Sequence, residues 1–564
     1  MFLANDSDAL RATEPGDRGD ANPEPHPGGS IGSRAARGAG NLFVGNAVSL
    51  LISGIGTIAI ARLLGATNFG LYAIVLIPSA TAYVFTQLGL GIAVSRYVAF
   101  YSSQQKLQEA REFVGVGLTF FLLTHIAIAA ASFALAPYIV GSALHYPQLA
   151  SLAEIASVNI VFQALTNFAV GTLSGFFRTG LASAVIVLQA FVKTGLSIGL
   201  IIAGLGTTGA VYGLIVGYAA SGVFGLGLLF MVGVSRPSDF RPKLRTILAF
   251  SLPNYAANLL NGLTRQGQLI ILAALIPIGL ATSSALGAYS ASLNLIAFMT
   301  ILSFPLSAIM LPTFSVISAN RSPEGISHSY LRALKVSNIL ITPAGFFLIA
   351  LSRPVFDVFY GHSYYSYFTI LTILALGYLV VGMGSQVQGS FFSGLNNNIV
   401  NTKMAVVSSL TVVALSVGLG FEYGVWGVAA ATTAGIITQT IYAHYSVVKR
   451  QYRAALPARP LLSVYLASIS ACAVTYLVGL NFKVVGLAGA GILTLLILLY
   501  VFAYVTLAGL LGSVSDIDAN LILESTSGLP VINKVVTALV IYYKNLTRWR
   551  LAHLQKSGSP QGVD

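Results

Sequence analysis

Charged side chains are the scarcest class in this sequence. Asp, Glu, Lys and Arg make up 8% of its 564 residues, 55% are hydrophobic, and the mean hydropathy is +0.81. Soluble domains carry about 25% charged residues, so this composition excludes a large soluble core and reads as an integral membrane protein. There is one cysteine, Cys472, inside an apolar run, which excludes an intramolecular disulfide and a cysteine-based metal cluster and reads as packing. No G-x-x-x-x-G-K-[ST] occurs, so ATP hydrolysis by that loop is excluded. His145, His362 and His444 lie near span ends and form no ligand spacing with carboxylates, and neither metal nor cofactor is expected. The net charge of +13 includes no basic run dense enough for nucleic acid.

What the chain has is apolar runs of the ~20 residues needed to cross a bilayer. Fourteen are counted, at roughly 41–61, 69–95, 113–136, 152–174, 181–205, 209–233, 253–277, 285–317, 336–358, 367–391, 403–420, 425–447, 461–481 and 485–511. With the N-terminus cytoplasmic, 25 of the 30 Lys and Arg fall on the inner side. Only Arg62, Arg353 and Lys483 fall outside, and Lys193 and Arg265 lie within spans. That bias supports the span count and places both termini in the cytoplasm. Residues 1–38 are polar, lack the apolar segment of a signal peptide, and are expected to form a disordered cytoplasmic tail.

A repeat runs through the spans. F-G-L-Y-A at 69–73 matches L-G-A-Y-S at 286–290, with Gly70 and Gly287 separated by 217 positions. Gly171 and Gly389, and Gly209 and Gly427, are each 218 apart. Three short matches at nearly one offset argue for duplication, with two six-helix halves in the same orientation and a transport site between them. The expected organisation is an N-terminal lobe over 39–245, a C-terminal lobe over 246–455, helices 13 and 14 over 456–512, and a cytoplasmic tail over 513–564. Within that tail Val531, Val535, Leu539, Tyr542, Leu546 and Trp549 recur at helical spacing, which predicts an amphipathic helix on the membrane surface. The fold class is all-α and polytopic: two six-helix lobes plus two C-terminal helices.

Span seven carries the strongest functional signal. Asn254, Asn258, Asn261, Arg265 and Gln268 are spaced by 4, 3, 4 and 3, so a helix aligns them in one stripe. Arg265 sits mid-span, where facing lipid costs at least about 2.5–3.5 kcal/mol, so it is expected to face protein or a wet cavity. Span five repeats the pattern with Gln189, Lys193 and Ser197. Internal pairing of each cation with a carbonyl or acid is the structural alternative. None of the 17 acidic residues is central in a span, so the buried charge is positive and the expected cargo is anionic. His125, in span three, is a candidate for proton coupling, against the commoner role of a packed, hydrogen-bonded histidine.

A-I-A-R-L-L-G-A-T-N-F-G-L-Y-A-I (59–74) and L-G-L-G-I-A-V-S-R-Y-V-A (88–99) resemble the start of polysaccharide-biosynthesis flippases. These are the Wzx-like branch of the multidrug/oligosaccharidyl-lipid/polysaccharide exporter superfamily. F-S-L-P (250–253), A-L-G-A-Y-S-A-S (285–292) and G-V-W-G-V-A-A-A (424–431) fit the same pattern, so the resemblance spans about 40–510. It implies two six-helix lobes around a central cavity and movement of polyprenyl-linked oligosaccharides between leaflets of a prokaryotic plasma membrane. Arg265 and Lys193 would then hold the lipid's phosphate, with Asn254, Asn258, Asn261, Gln189 and Gln268 beside them for sugar hydroxyls. Members often carry an acidic residue near positions 265–268, and this chain has none there. Implied partners are the lipid-linked oligosaccharide, membrane lipids and polysaccharide assembly enzymes. The alternative is a multidrug or organic-cation exporter of the same superfamily, which the missing span carboxylates disfavour. A membrane enzyme would need acids, histidines or metal ligands grouped in a sizeable outer loop, and it is disfavoured because the outer loops are short and carry few charges.

Overall fold

The computed structural model describes residues 28–557 except 87–89, 237, 298, 300–313, 315–322, 453–454, 483, 485–488, 516–517, 521 and 524–529. Most of the expected N-terminal tail, residues 1–27, lies outside the described residues, and the chain is helical from Gly28. In hydrocarbon every backbone N–H and C=O must be paired within the segment, which leaves helices as the outcome for these apolar runs. No strand occurs among the described residues.

The first lobe comprises α1 (Gly28–Thr86), α2 (Leu90–Ser103), α3 (Leu107–Ala136), α4 (Ala150–Ser157), α5 (Asn159–Gly175), α6 (Thr179–Leu200) and α7 (Gly206–Val232). The second comprises α8 (Phe240–Leu275), α9 (residues 283–297), α10 (Pro323–Ala350), α11 (Ser352–Tyr360), α12 (Phe368–Leu376), α13 (Gln388–Gly394) and α14 (Asn398–Ala443). Then come α15 (Ala458–Gly479), α16 (Ala490–Leu511) and α17 (Pro530–Ser557).

Nine helices among the described residues are long and apolar enough to cross a membrane. Three of these each hold two crossings, broken at Gly65, at Gly204 and Gly206, and at Gly424, where φ turns positive. α8 and α9 stand outside the nine, and most of the expected eighth span, 285–317, lies outside the described residues. α8 has 36 residues, about 54 Å at 1.5 Å per residue, and owes its low apolarity to the stripe through Arg265.

The repeat reappears in backbone geometry. Gly206 has φ 51°, ψ −129° and Gly424, 218 positions later, has φ 58°, ψ −129°. Both turns are left-handed, a conformation glycine reaches without a Cβ penalty. Gly70 and Gly287 pack on each other across the two lobes. A methyl at Gly70 would overlap the Ser283 carbonyl, and one at Gly287 would overlap the Ala66 carbonyl. Next to them Thr67 Oγ1 and Ser284 Oγ are 2.8 Å apart. At the 217-residue offset the Gly70–Ser283 and Gly287–Ala66 contacts are reciprocal and Thr67 meets its own counterpart Ser284, as a two-fold axis requires.

This seam lies at the helix ends away from the basic loops. There the Tyr364 hydroxyl donates to the Ala61 carbonyl at 2.9 Å, the Ala66 N–H donates to Ser363 Oγ at 3.3 Å, and Arg62 donates to the Val358 carbonyl. At the basic ends the lobes meet again: the Arg96 guanidinium lies 4.3 Å from the Phe250 ring centroid, and the Tyr255 hydroxyl donates to the Phe85 carbonyl at 3.0 Å.

α15 and α16 pack against the second lobe at a proline. Pro343 has no N–H for the Ile339 carbonyl one turn earlier. The Tyr504 hydroxyl of α16 donates to that carbonyl at 2.9 Å, and Tyr500 donates to the Pro343 carbonyl at 2.7 Å. α17 docks on α16 through Tyr542, stacked on Phe502 at 5.4 Å, and through the buried Tyr543, whose hydroxyl donates to the Val514 carbonyl at 2.7 Å. Val535, Ile541 and Trp549 remain exposed.

Candidate functional site

A cavity of about 660 Å³ lies between the lobes, walled by α1, α5, α8 and α9. Its two long walls differ in chemistry. α1 contributes Thr57, Phe69, Tyr72, Ala73, Leu76, Ile77, Ala80, Tyr83 and Val84, a face that is apolar apart from one hydroxyl and two phenols. α8 contributes Asn258, Asn261, Arg265, Gln266 and Leu269. The helices approach closely because Gly262 meets the Val84 side chain, where a Cβ would crowd it.

Of the stripe residues, Asn258, Asn261 and Arg265 share this wall. All three are exposed to the cavity and make no hydrogen bond or ion pair with any described residue. Tyr289 and Tyr378 lie within electrostatic reach of the Arg265 guanidinium. No carboxylate belongs to the described lining. Arg265 thus presents an unpaired cation to the cavity at mid-span, an arrangement suited to an anion.

Gln268, one turn further, is placed elsewhere. It is buried, and its Nε2 donates to Thr432 Oγ1 at 2.6 Å; Thr432 in turn lies 2.9 Å from the Tyr289 hydroxyl. This chain joins α8, α14 and α9, so Gln268 fixes the rotation of the helix that presents Arg265. The Asn254 side chain lies outside the described residues.

Lys193 and Gln189 do not line the cavity. Gln189 is buried, and the backbone of Lys193 packs against Gly217 of α7, while the adjacent Thr194 packs under Gly56 of α1. They sit inside the first lobe, between α1, α6 and α7. Lys193 makes no ion pair among the described residues. His125 is buried in α3, its Nδ1 2.7 Å from the Phe121 carbonyl and its ring stacked on Phe121.

Several lining residues escaped the sequence reading: Gln163 of α5, Gln266 of α8, and Ser290 and Asn294 of α9. Gln266 Oε1 and Ser290 Oγ are buried without a hydrogen-bond partner among the described residues. Ser290 and Asn294 are four apart, so a second short polar stripe was present in the sequence. Tyr72 and Tyr289, 217 apart, are repeat counterparts on the two lobes, Tyr72 lining the cavity and Tyr289 beside Arg265.

Comparison with known proteins agrees with this architecture. A 412-residue stretch is 22% identical to the probable low-salt glycan biosynthesis flippase Agl15 of Haloferax volcanii, covering 73% of this chain and 83% of that protein. The fold is similar to that of the lipid II flippase MurJ in an inward closed conformation, with TM-score 0.67 at 17% identity over 83% of this chain and 98% of that one. It is also similar to an inward-facing multidrug resistance MATE family transporter of the MOP superfamily, with TM-score 0.59 at 17% identity over 73% and 99% of the two chains. The family profile described as polysaccharide biosynthesis protein matches residues 59–369, more than half of the sequence and most of both lobes, and the chain therefore belongs to the polysaccharide biosynthesis protein family.

Proposed function

We propose that the protein is a secondary transporter that flips polyprenyl-(pyro)phosphate-linked oligosaccharides across a prokaryotic plasma membrane by alternating access. The observation that carries this reading is the unpaired Arg265 in a carboxylate-free described lining between two lobes. A guanidinium offers five donors in a planar fork that matches phosphate oxygens, and its charge is retained in a low-dielectric site. Asn258, Asn261, Gln266 and Asn294 supply amides for sugar hydroxyls, and the apolar face of α1 walls the opposite side. The relative named as a glycan biosynthesis flippase and the family membership support the same substrate class.

The Gly70–Gly287 seam joins the lobes at one end and the Tyr255–Phe85 contact joins them at the other, so loading and release by alternating access would require the two to open in turn. The 25-to-3 distribution of Lys and Arg supports cytoplasmic termini and cytoplasmic loading. Polysaccharide assembly enzymes are then the expected consumers of the product. A multidrug exporter of the same fold would need a carboxylate to neutralise organic cations, and the described lining supplies none.

The test uses purified protein in liposomes carrying a labelled polyprenyl-phosphate oligosaccharide, with an external sugar-modifying enzyme as the probe of the outer leaflet. Arg265→Gln is expected to abolish protein-dependent labelling while leaving the variant monodisperse. Wild-type rates in that variant would refute the assignment.

A further inference from the structure

A second basic feature lies outside the cavity, on the first turns of α8. Arg241, Leu244, Arg245, Leu248 and Ala249 are the described lining of an open groove of about 400 Å³. The neighbouring Lys243 points the other way. It pairs with Glu112 of α3, and the same carboxylate accepts the Ser238 N–H at 3.2 Å and the Ser238 hydroxyl at 2.9 Å. Lys243, Ile247 and Ser251 are spaced by four, and the last two are buried, so this face of α8 is committed to contact with the first lobe. Arg241 and Arg245 are thereby left on the opposing side, exposed and without an ion pair among the described residues.

Position adds a second constraint. α8 is about 54 Å long, against a hydrocarbon core of about 30 Å and about 40–45 Å with headgroups. Its outer end is fixed by the turn after Leu275, so its first turns reach the headgroup layer on the basic side. A groove there that combines two guanidinium groups one turn apart with leucine and alanine matches a ligand that is anionic at one end and apolar at the other.

We propose that this groove binds the phosphate headgroup of an anionic phospholipid, with the adjoining chain against Leu244 and Leu248. The Glu112–Lys243 pair is the positioning element, since it sets the rotation of α8 that holds both arginines outward. The site is separate from Arg265 and independent of what the cavity carries.

The experiment is native mass spectrometry of protein released from phosphatidylcholine nanodiscs doped with phosphatidylglycerol. The wild type is expected to retain phosphatidylglycerol selectively, and Arg241→Gln/Arg245→Gln to lose about 30-fold in retention, from two interfacial cations. Arg178→Gln/Arg236→Gln removes the same charge from exposed positions outside the groove and is expected to retain the lipid. Equal loss in both double variants would reduce the effect to general surface charge and overturn the site. Displacement of phosphatidylglycerol by a lower concentration of polyprenyl phosphate would overturn the phospholipid assignment and make the groove a waiting station for cargo. Selective retention that persists in Arg265→Gln separates this site from the cavity.

Discussion

Adding a methyl group to Gly70 or Gly287 is expected to bias the transporter away from the conformation described here. Both glycines sit helix against helix on the axis relating the lobes, and the atoms a Cβ would strike are backbone: the Ser283 carbonyl in one case and the Ala66 carbonyl in the other. A flexible side chain could move aside, whereas a carbonyl in a packed helix moves only with its helix. Overpacking of this kind costs about 1–3 kcal/mol, which converts to about a 5- to 150-fold shift between states. Thr67 and Ser284, whose hydroxyl oxygens are 2.8 Å apart, provide the readout. In a Cys472→Ser background, Thr67→Cys/Ser284→Cys is expected to cross-link on mild oxidation and to stop flipping until a thiol is added. Adding Gly70→Ala should slow that cross-linking by the factor above, and Gly287→Ala should do the same because the contact is reciprocal. Undiminished cross-linking in both alanine variants would refute the reasoning, since it would mean the seam is loose enough to absorb a methyl group.

Two further outcomes test elements that support the site. Gln268→Leu removes the donor to Thr432 and is expected to destabilise the protein by about 1–3 kcal/mol in thermal unfolding, lowering flipping without contact between residue 268 and cargo. Tyr504→Phe leaves the Ile339 carbonyl beside Pro343 without its donor, and a loss of about 1–3 kcal/mol is expected; an unchanged melting temperature would show that another donor takes over.

The span pattern was legible because bilayer thickness imposes a length on every crossing, and α8 was legible because a polar stripe in an apolar run has one physical reading. The division of labour along that stripe was not. Asn258, Asn261 and Arg265 meet the cavity while Gln268 meets Thr432, and the difference lies in which part of α14 passes behind that turn. Lys193 illustrates the same limit. Its helix face is set by close contacts of Ser197 with Gly213 and of Lys193 with Gly217, glycines on the following helix, so spacing alone could not turn it toward or away from the cavity. The C-terminal helix showed its apolar stripe in sequence, and Tyr542 of that stripe does pack on α16, but Tyr543, beside the stripe, also anchors it because its hydroxyl satisfies the chain at Val514.

The tyrosines that cap α10 give the two lobes unequal mechanical status. α10 carries Pro343, and two backbone carbonyls beside that proline, those of Ile339 and Pro343, accept hydrogen bonds from α16, a helix outside the repeat. Pulling α10 away from α16 would leave the Ile339 carbonyl, which Pro343 cannot serve, without a donor in hydrocarbon, at several kcal/mol. The second lobe is thus splinted to an external strut. In the proposed alternating-access cycle the larger movement is therefore expected in the first lobe, with the second lobe and α15–α16 as its stator.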